Sequence, residues 1–474
     1  MKRVLIVAYF FPPIASSGSL RPLGFCRYVE RYGWLPGVLT TEPASVHPQL
    51  PVDENLCSKL PHILKIHRVP DANPLGLLIR GRDKLRKRAR NLLGPQNRQL
   101  SIDHGHPEPA RNGLHGQISA LKNSVLDRLF SFPDAQCSWL RPAVHRLSRL
   151  PRSERPDVVF ATGSPWTSLL VGKALAQKFG VPFVADLRDP WNRWPSDPLH
   201  EDNGSSFLFR KARQLESSVY AAAARVITTT EEHREKLLTD YPDLEGKCVT
   251  ITNGFDSEAW EPVAGLCEDR ELGQPSGPDK NVLELCHFGT VYGNRNPLPL
   301  LRAVKELIDE GRIERGRLRV RFIGAWEVTD PACEPLAREL ESQGFVRREP
   351  VVPYEVCVRQ MAAAKVLLVL QPGYPLSIPA KIYEYIATGR PLLVIGGEGA
   401  TARLVEQHRL GRCCPNTTPE IKELLRHLIT GRTQIETPRA GVKAAFDYRV
   451  LAGKLACILD EVCAERDRQA LPLP

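Results

Sequence analysis

The chain has 474 residues, 42% hydrophobic and 25% charged, a composition that fits two or three cored globular domains and excludes disordered and fibrous classes. Lysine and arginine number 64 against 54 acids, giving a net charge of +10, and no apolar run approaches the roughly 20 residues that span a bilayer. Twelve cysteines are scattered without C-x-x-C pairs, with Cys286, Cys357 and Cys457 inside apolar stretches; neither zinc nor a disulfide framework is indicated, and the pair Cys413-Cys414 reads first as reduced thiols.

The opening M-K-R-V-L-I-V-A-Y-F imitates a signal peptide, but its apolar run is short and F-F-P-P stands where small residues should mark cleavage. It is expected to be the first strand of a cytoplasmic protein. The loop F-P-P-I-A-S-S-G-S leads into a predicted helix from Leu20 to about Tyr32, with Gly18 and Ser19 at its start and Arg21 nearby. Seven basic residues (Arg80, Arg82, Lys84, Arg86, Lys87, Arg88, Arg90) face one acid, Asp83, while Leu78, Leu85, Ala89 and Leu92 share a helical face. Such a helix suits an anionic membrane surface, each basic residue adding about 1 kcal/mol, or else a solvated surface. No aromatic interleaving accompanies the charges, so no nucleic acid is expected as a partner. Residues 95 to 117 are polar and rich in Gly and Pro, a flexible insertion in which His104, His106 and His115 are weak metal candidates. No metal is assigned.

Order resumes with the strand D-V-V-F-A-T-G, then a helix expected to be capped by Ser164 with Pro165 in its first position, then the strand V-P-F-V-A-D-L. This β-α-β unit implies a parallel sheet covered by helices. Gly163 and Ser164 stand at one helix start, and D-L-R-D-P-W places Asp186, Arg188, Asp189 and Trp191 at a strand's C-terminal end, where open parallel sheets bind ligands. Asp189 could orient or deprotonate an acceptor hydroxyl, or simply pair with Arg188. Trp191 and Trp194 could stack on a sugar or pack in the core. After A-R-V-I-T-T-T with its helix and C-V-T-I-T-N-G-F-D, periodicity is lost from Glu261 to Lys280, a linker.

The alternation then restarts with V-L-E-L-C-H-F-G, so two Rossmann-like units facing across a cleft are expected, followed by a terminal amphipathic helix. In T-V-Y-G-N-R-N-P, Gly289 and Gly293 permit close backbone approach, Asn296 can cap, Pro297 suits the first turn, and Arg295 stands beside the helix start. Together these suit an anion. In S-I-P-A-K-I-Y-E-Y-I-A-T-G-R-P, Ser377 can cap, Pro379 suits the first turn, and Gly389 and Pro391 end the helix. Lys381 then faces the positive end of the helix dipole, a penalty of about 0.3–1 kcal/mol. Pairing with Glu384 at i,i+3 would return only about 0.2–0.5 kcal/mol, in the poorer order. A diphosphate between Arg295 and Lys381 removes both misfits and leaves Glu384 free for sugar hydroxyls. No G-x-G-x-x-G, P-loop or D-x-D is present, so fixed cations rather than a chelated metal would stabilise a leaving diphosphate.

P-A-K-I-Y-E-Y-I-A-T-G-R-P-L-L resembles the donor-site signature of family 4 glycosyltransferases of the GT-B fold. F-P-P-I-A-S-S-G-S-L-R, D-L-R-D-P-W, I-T-N-G-F-D and H-F-G-T-V-Y-G-N-R-N-P-L-P-L-L-R-A resemble further stretches of that family, outside roughly 50 to 130 and the linker. The resemblance implies transfer of a sugar from a nucleotide diphosphate sugar, retaining and metal-independent, with no cofactor beyond the donor. By it Arg295 and Lys381 hold the diphosphate and act in catalysis, Gly289 lies in the loop opening the donor domain, and Glu384 binds the ribose. Gly18 approaches the donor phosphates or acceptor from across the cleft, and Asp189 is the acceptor-side candidate. Where many members carry a second glutamate, this chain has Leu376, leaving Ser377 or the backbone near Pro375 to meet the sugar.

The expected organisation is an acceptor-side unit over 1–262 with a variable insertion near 75–125, a donor unit over 280–440, and a helix over 441–474 packing back on the first unit. The expected function is a glycosyltransferase, hexosyltransferase-like, serving cell-surface polysaccharide or glycolipid synthesis with a glycan or lipid-linked acceptor. Its expected place is the cytoplasm, with residues 80–90 suggesting peripheral contact with the inner face of the membrane. Alternatives are a sugar-nucleotide epimerase on the same fold and a nucleotide-sugar-binding protein without turnover.

Overall fold

The computed structural model describes residues 1–46, 50–71, 132–191, 207–261, 282–293, 295–439 and 441–470. The expected insertion near 75–125, the basic segment 80–90, the three histidines at 104, 106 and 115, Trp194 and most of the linker lie outside them.

The first unit is a parallel sheet of β1 (Lys2–Val7), β2 (Trp34–Thr41), β3 (Lys65–Val69), β4 (Val158–Gly163), β5 (Phe183–Leu187), β6 (Arg225–Thr228) and β7 (Cys248–Thr250), in the spatial order β3-β2-β1-β4-β5-β6-β7. Its central strands read as unbroken apolar runs because both faces are covered. Val4 and Ile6 of β1 join Phe25, Phe160 and Leu455 on one side, while Leu5 and Val7 join Trp139, Leu169 and Leu175 on the other. Covering helices are α1 (Ser17–Tyr28), a short α2 (Asn55–Ser58), α3 (Leu140–Leu147), α4 (Thr167–Phe179), α5 (Phe207–Ala222) and α6 (Glu231–Asp240).

The second unit repeats the plan with β8 (Leu283–Phe288), β10 (Leu318–Ile323), β12 (Val346–Glu349), β13 (Val366–Gln371), β14 (Leu392–Gly396) and β15 (Gly411–Cys414), all parallel, in the order β12-β10-β8-β13-β14-β15. A small pair, β9 (Val291–Tyr292) with β11 (Trp326–Glu327), extends the loops after β8 and β10. The helices are α7 (Leu298–Asp309), α8 (Cys333–Ser342), α9 (Tyr354–Ala363), α10 (Ala380–Thr388), α11 (Ala400–Gln407) and α12 (Thr418–Ile429). The last helix, α13 (Tyr448–Ala470), returns to the first unit, burying Leu451, Leu455, Leu459 and Val462 against the α1 side of its sheet.

Several helix starts differ from the sequence expectation: α1 begins at Ser17 rather than Leu20, and Pro297 is the N-cap of α7 rather than its first residue. Ser164 and Pro165 precede α4, which begins at Thr167; its cap is the remote Asp134, whose carboxylate accepts from the Thr167 amide at 2.8 Å and its hydroxyl at 2.7 Å. Ser377 does not cap α10, and Pro379 takes the N-cap position with no side-chain bond to the first turn. The end of α10 is as the sequence demands: Gly389 closes it at φ +70°, a left-handed conformation that suits glycine. Cys413 and Cys414 are free thiols that burial pushes up to about 12 and about 11, which makes both poor nucleophiles.

Candidate functional site

The C-terminal strand ends of the two sheets face a cavity of about 780 Å³. One wall carries Ser16, Arg188 and Asp189, and the opposite wall carries Arg295, Lys381 and Glu384. Both walls follow from topology, because loops after parallel strands gather at one edge together with the N-termini of the next helices.

Lys381 is the second residue of α10, with its side chain partly buried in the wall. Its Nζ lies 3.1 Å from His287 Nε2, and it has no carboxylate partner among the described residues. Burial above all, then the nearby charge of Arg295, lowers its ammonium to about 7, against the opposing pull of Glu384. Lys381 and Glu384 therefore do not form the i,i+3 ion pair. The Glu384 carboxylate accepts from the Tyr354 hydroxyl at 3.1 Å, and burial holds it above the usual carboxylate range.

Arg295 follows a turn in which its amide bonds the Tyr292 carbonyl, with Gly293 at φ +53° supplying the reversal. Its guanidinium lies over the Tyr292 ring at 4.9 Å and donates to that hydroxyl at 3.1 Å. Its Nε has no hydrogen-bond partner among the described residues. Asn296 Oδ1 accepts from the Leu298 amide at 2.9 Å in the turn that leads into α7 beside this cation, while Pro297 takes the N-cap position. Gly289 ends β8 at φ +111°, and a Cβ there would stand 3.0 Å from Lys381 Nζ. The backbone there favours glycine, and a side chain would crowd the ammonium.

On the other wall, Asp189 accepts from Ser164 Oγ and from Arg188, at 3.1 Å in each case. Arg188 also donates to the Ser164 carbonyl at 3.0 Å. Asp189 is thus paired with Arg188 while still bordering the cavity. Gly18 lies just behind this wall, and a Cβ on it would meet Arg188 Nη1 at 2.2 Å. Its place in the first turn of α1, which Ser16 caps through the Gly18 amide, leaves Arg188 room to reach over the helix. Asp186 is fully buried against Arg21, bonded at 2.7 Å, and serves the core. Trp191 is also fully buried, stacked on Trp166 at 4.8 Å, so it does not face a sugar.

Leu376 presents no side-chain acceptor, and the carbonyls around it are engaged. Thr230 Oγ1 donates to Leu376 O at 2.7 Å, the Ala400 amide to Pro375 O, and Thr401 Oγ1 to Ser377 O. Ser377 itself borders the cavity. Three residues here were not singled out from sequence. They are His287 beneath Lys381, Tyr354 on Glu384, and Lys59, whose ammonium crosses from the first unit to lie 5.4 Å from the Tyr354 ring. A histidine inside the apolar run L-E-L-C-H-F was the one visible signal. Among the described residues no group of histidine, cysteine and acidic side chains is arranged to hold a metal ion, and no helix is long and apolar enough to cross a membrane.

Residues 116–254 match the family described as "Glycosyl transferase 4-like domain". The chain is 27% identical over 297 residues to D-inositol 3-phosphate glycosyltransferase 1 of Catenulispora acidiphila, covering 60% of this chain and 66% of that protein. It is 25% identical over 276 residues to the probable glycosyltransferase WbjE of Pseudomonas aeruginosa, covering 56% and 64%. The chain therefore spans under two thirds of the length of either relative. Among solved structures, Anabaena HepE in complex with UDP superposes with a TM-score of 0.57 at 15% identity, covering 97% of this chain and all of that one.

Proposed function

We propose that the chain, which has a GT-B fold and is similar to family 4 glycosyltransferases, is a member of that family and moves a sugar from a nucleotide diphosphate sugar to a glycan or lipid-linked acceptor. The proposed setting is synthesis of a cell-surface polysaccharide or glycolipid in the cytoplasm. One observation carries the reading: two cations without carboxylate partners among the described residues, Lys381 and Arg295, stand beside the starts of α10 and α7 at the cleft. Helix N-termini and cations concentrate positive potential, and a diphosphate is the compact polyanion that satisfies it.

In this reading the diphosphate lies against Gly289, and both cations stabilise negative charge as the glycosidic bond to the leaving phosphate breaks. Glu384, oriented by Tyr354, accepts from ribose hydroxyls. Asp189 orients the acceptor while Arg188 holds it in place. The reaction is retaining and needs no metal, since fixed ammonium and guanidinium groups take that role. Residues 80–90 supply anionic-membrane contact for a lipid-linked acceptor; deleting them should abolish association with liposomes containing phosphatidylglycerol, and persistent association would remove that segment from the reading.

The test of the donor site is binding of UDP, GDP and UDP-glucose followed by thermal shift and calorimetry. UDP is tried first because HepE is crystallised with it. Lys381→Ala and Arg295→Ala should each weaken nucleotide binding about 10- to 100-fold, the worth of a charge-assisted bond, with no loss of melting temperature. Unchanged affinity in both variants would sink the assignment. Binding without donor hydrolysis or transfer would instead identify a nucleotide-sugar-binding protein, with Leu376 as the lesion.

A further inference from the structure

We propose that His287 is the positioning residue of the donor site: its ring accepts a hydrogen bond from the Lys381 ammonium and holds that cation against Gly289, aimed into the cleft. The inference rests on the reading of the cleft as a diphosphate site and goes beyond it to a residue that would touch no substrate.

The geometry fixes the tautomer. His287 is fully buried in β8, one residue before the strand ends. Its Nδ1 lies 3.1 Å from the Leu368 carbonyl of β13, and a carbonyl can only accept, so Nδ1 carries the hydrogen. A neutral ring then has a bare lone pair on Nε2, the atom 3.1 Å from Lys381 Nζ. Burial, and then the charges of Lys381 and Arg295, hold the imidazolium well below its ordinary range, so the ring stays neutral. An ammonium has three donors; one is spent on His287 and the other two remain for phosphate oxygens.

A buried histidine with both nitrogens bonded could be no more than a satisfied core residue. Two observations set this one apart. Its partner is a cation with no other hydrogen bond among the described residues, and a free lysine side chain carries about 2 kcal/mol of rotamer entropy that must be lost on binding a ligand. Pinning Nζ beforehand removes that cost from the binding step. The second is steric, because the bare Gly289 backbone leaves room for the ammonium, which lies 3.0 Å from where a Cβ would stand. The other groups facing Lys381 are Arg295, Glu384 on its own helix and Cys357 of α9; none of them bonds it.

His287→Phe keeps ring volume and removes the acceptor, whereas His287→Gln returns an amide oxygen near the Nε2 position. Calorimetry with UDP and with GDP should show affinity about tenfold weaker in His287→Phe, as for one lost hydrogen bond to a charged group, and largely recovered in His287→Gln. The pH above which affinity declines should move lower in the Phe variant only, because Lys381 would lose its proton more readily. In the unsubstituted chain, imidazole ¹⁵N shifts should show one ring with protonated Nδ1 and bare Nε2 between pH 5 and 8, its Nε2 signal moving when UDP binds. That measurement decides the matter even where a variant fails to fold, and a protonated Nε2 overturns the proposal. Loss of UDP binding in Lys381→Ala with full affinity and an unaltered pH profile in His287→Phe overturns the positioning role alone. Unchanged binding in both overturns it together with the donor-site reading.

Discussion

Lys381 is held in an unfavourable state, which the proposed anion would relieve, and its proton would report this. In the free chain its ammonium titrates at about 7, chiefly through burial and then through Arg295. In the proposed complex, phosphate oxygens would supply the missing countercharge, so the bound form would keep the proton that the free form gives up. Affinity for UDP-glucose should therefore be level below about pH 7 and fall above it, by at most about tenfold per pH unit. Calorimetry from pH 6 to 9 in buffers of different ionisation enthalpy would count the proton taken up; an affinity independent of pH in that range contradicts the account. Stability follows the same linkage. The unfolded chain keeps this proton up to about 10.5, so between about 7 and 10.5 the unfolded state binds more protons and the residue's contribution to stability rises with pH. Below about 7 its desolvation penalty is present in full. Lys381→Met should raise the melting temperature of the free chain at pH 7 by roughly 2–4 °C, for about 1 kcal/mol regained, and the gain should shrink toward pH 10. A lowered melting temperature would show that the side chain is structurally required.

At the scale of elements, the start of α4 is set by a residue far away in sequence. Asp134 Oδ1 and Oδ2 bond the Thr167 hydroxyl and amide, and Oδ1 also accepts from the Gln136 amide at 3.0 Å. Asp134→Ala should cost about 1–2 kcal/mol, the range for loss of a good N-cap, measured as a lowered thermal midpoint, with Asp134→Asn recovering part of it. An unchanged midpoint would assign the helix start to its packing instead. The same case shows what the sequence could disclose. The alternation of strand and helix was legible because β1, β4 and β13 are apolar runs buried on both faces, and Arg295 and Lys381 stood out as cations misplaced near helix starts, with Glu384 one turn after Lys381. The cap of α4 was not legible, since Ser164 looks like a cap and Asp134 lies 33 residues before Thr167. His287 was hidden for the same reason: its partners Leu368 and Lys381 are 81 and 94 residues away, and only the fold brings them together. Trp191 carried the opposite hazard, because an aromatic beside a site residue resembles a sugar platform until its stacking on Trp166 is seen.

Across the whole molecule, the two units are joined at one side by covalent crossings and touch at another through weak contacts. At the crossings, the Phe255 amide donates to Phe446 O and the Tyr448 amide to Phe255 O, both at 3.0 Å. A Cβ on Gly254 would lie 2.3 Å from Phe446 O, so the two chain passes meet without room for a side chain. Arg21 anchors this junction to the first sheet by donating to Ile251 O and Thr252 O while paired with Asp186. Burial of Leu451, Leu455 and Leu459 of α13 fastens it further, at about 1.5–3 kcal/mol for each leucine side chain. The contacts away from the junction are slighter. Thr230 Oγ1 donates to Leu376 O while accepting from the His233 amide, and Arg403 pairs with Glu232 at 2.9 Å with its own side chain half exposed. Rotation about the crossings would break these two contacts and leave the junction intact. Together they contribute about 1–2 kcal/mol, one ordinary hydrogen bond plus a surface ion pair, enough to shift an open–closed equilibrium roughly 5- to 30-fold. The double variant Thr230→Val with Arg403→Ala should therefore show a larger radius of gyration by small-angle scattering and weaker donor binding, with helix content preserved. Thr230→Ser should behave as the unsubstituted chain, because its hydroxyl restores both the α6 cap and the bond to Leu376. Identical scattering for the double variant would show that these two contacts do not hold the cleft closed.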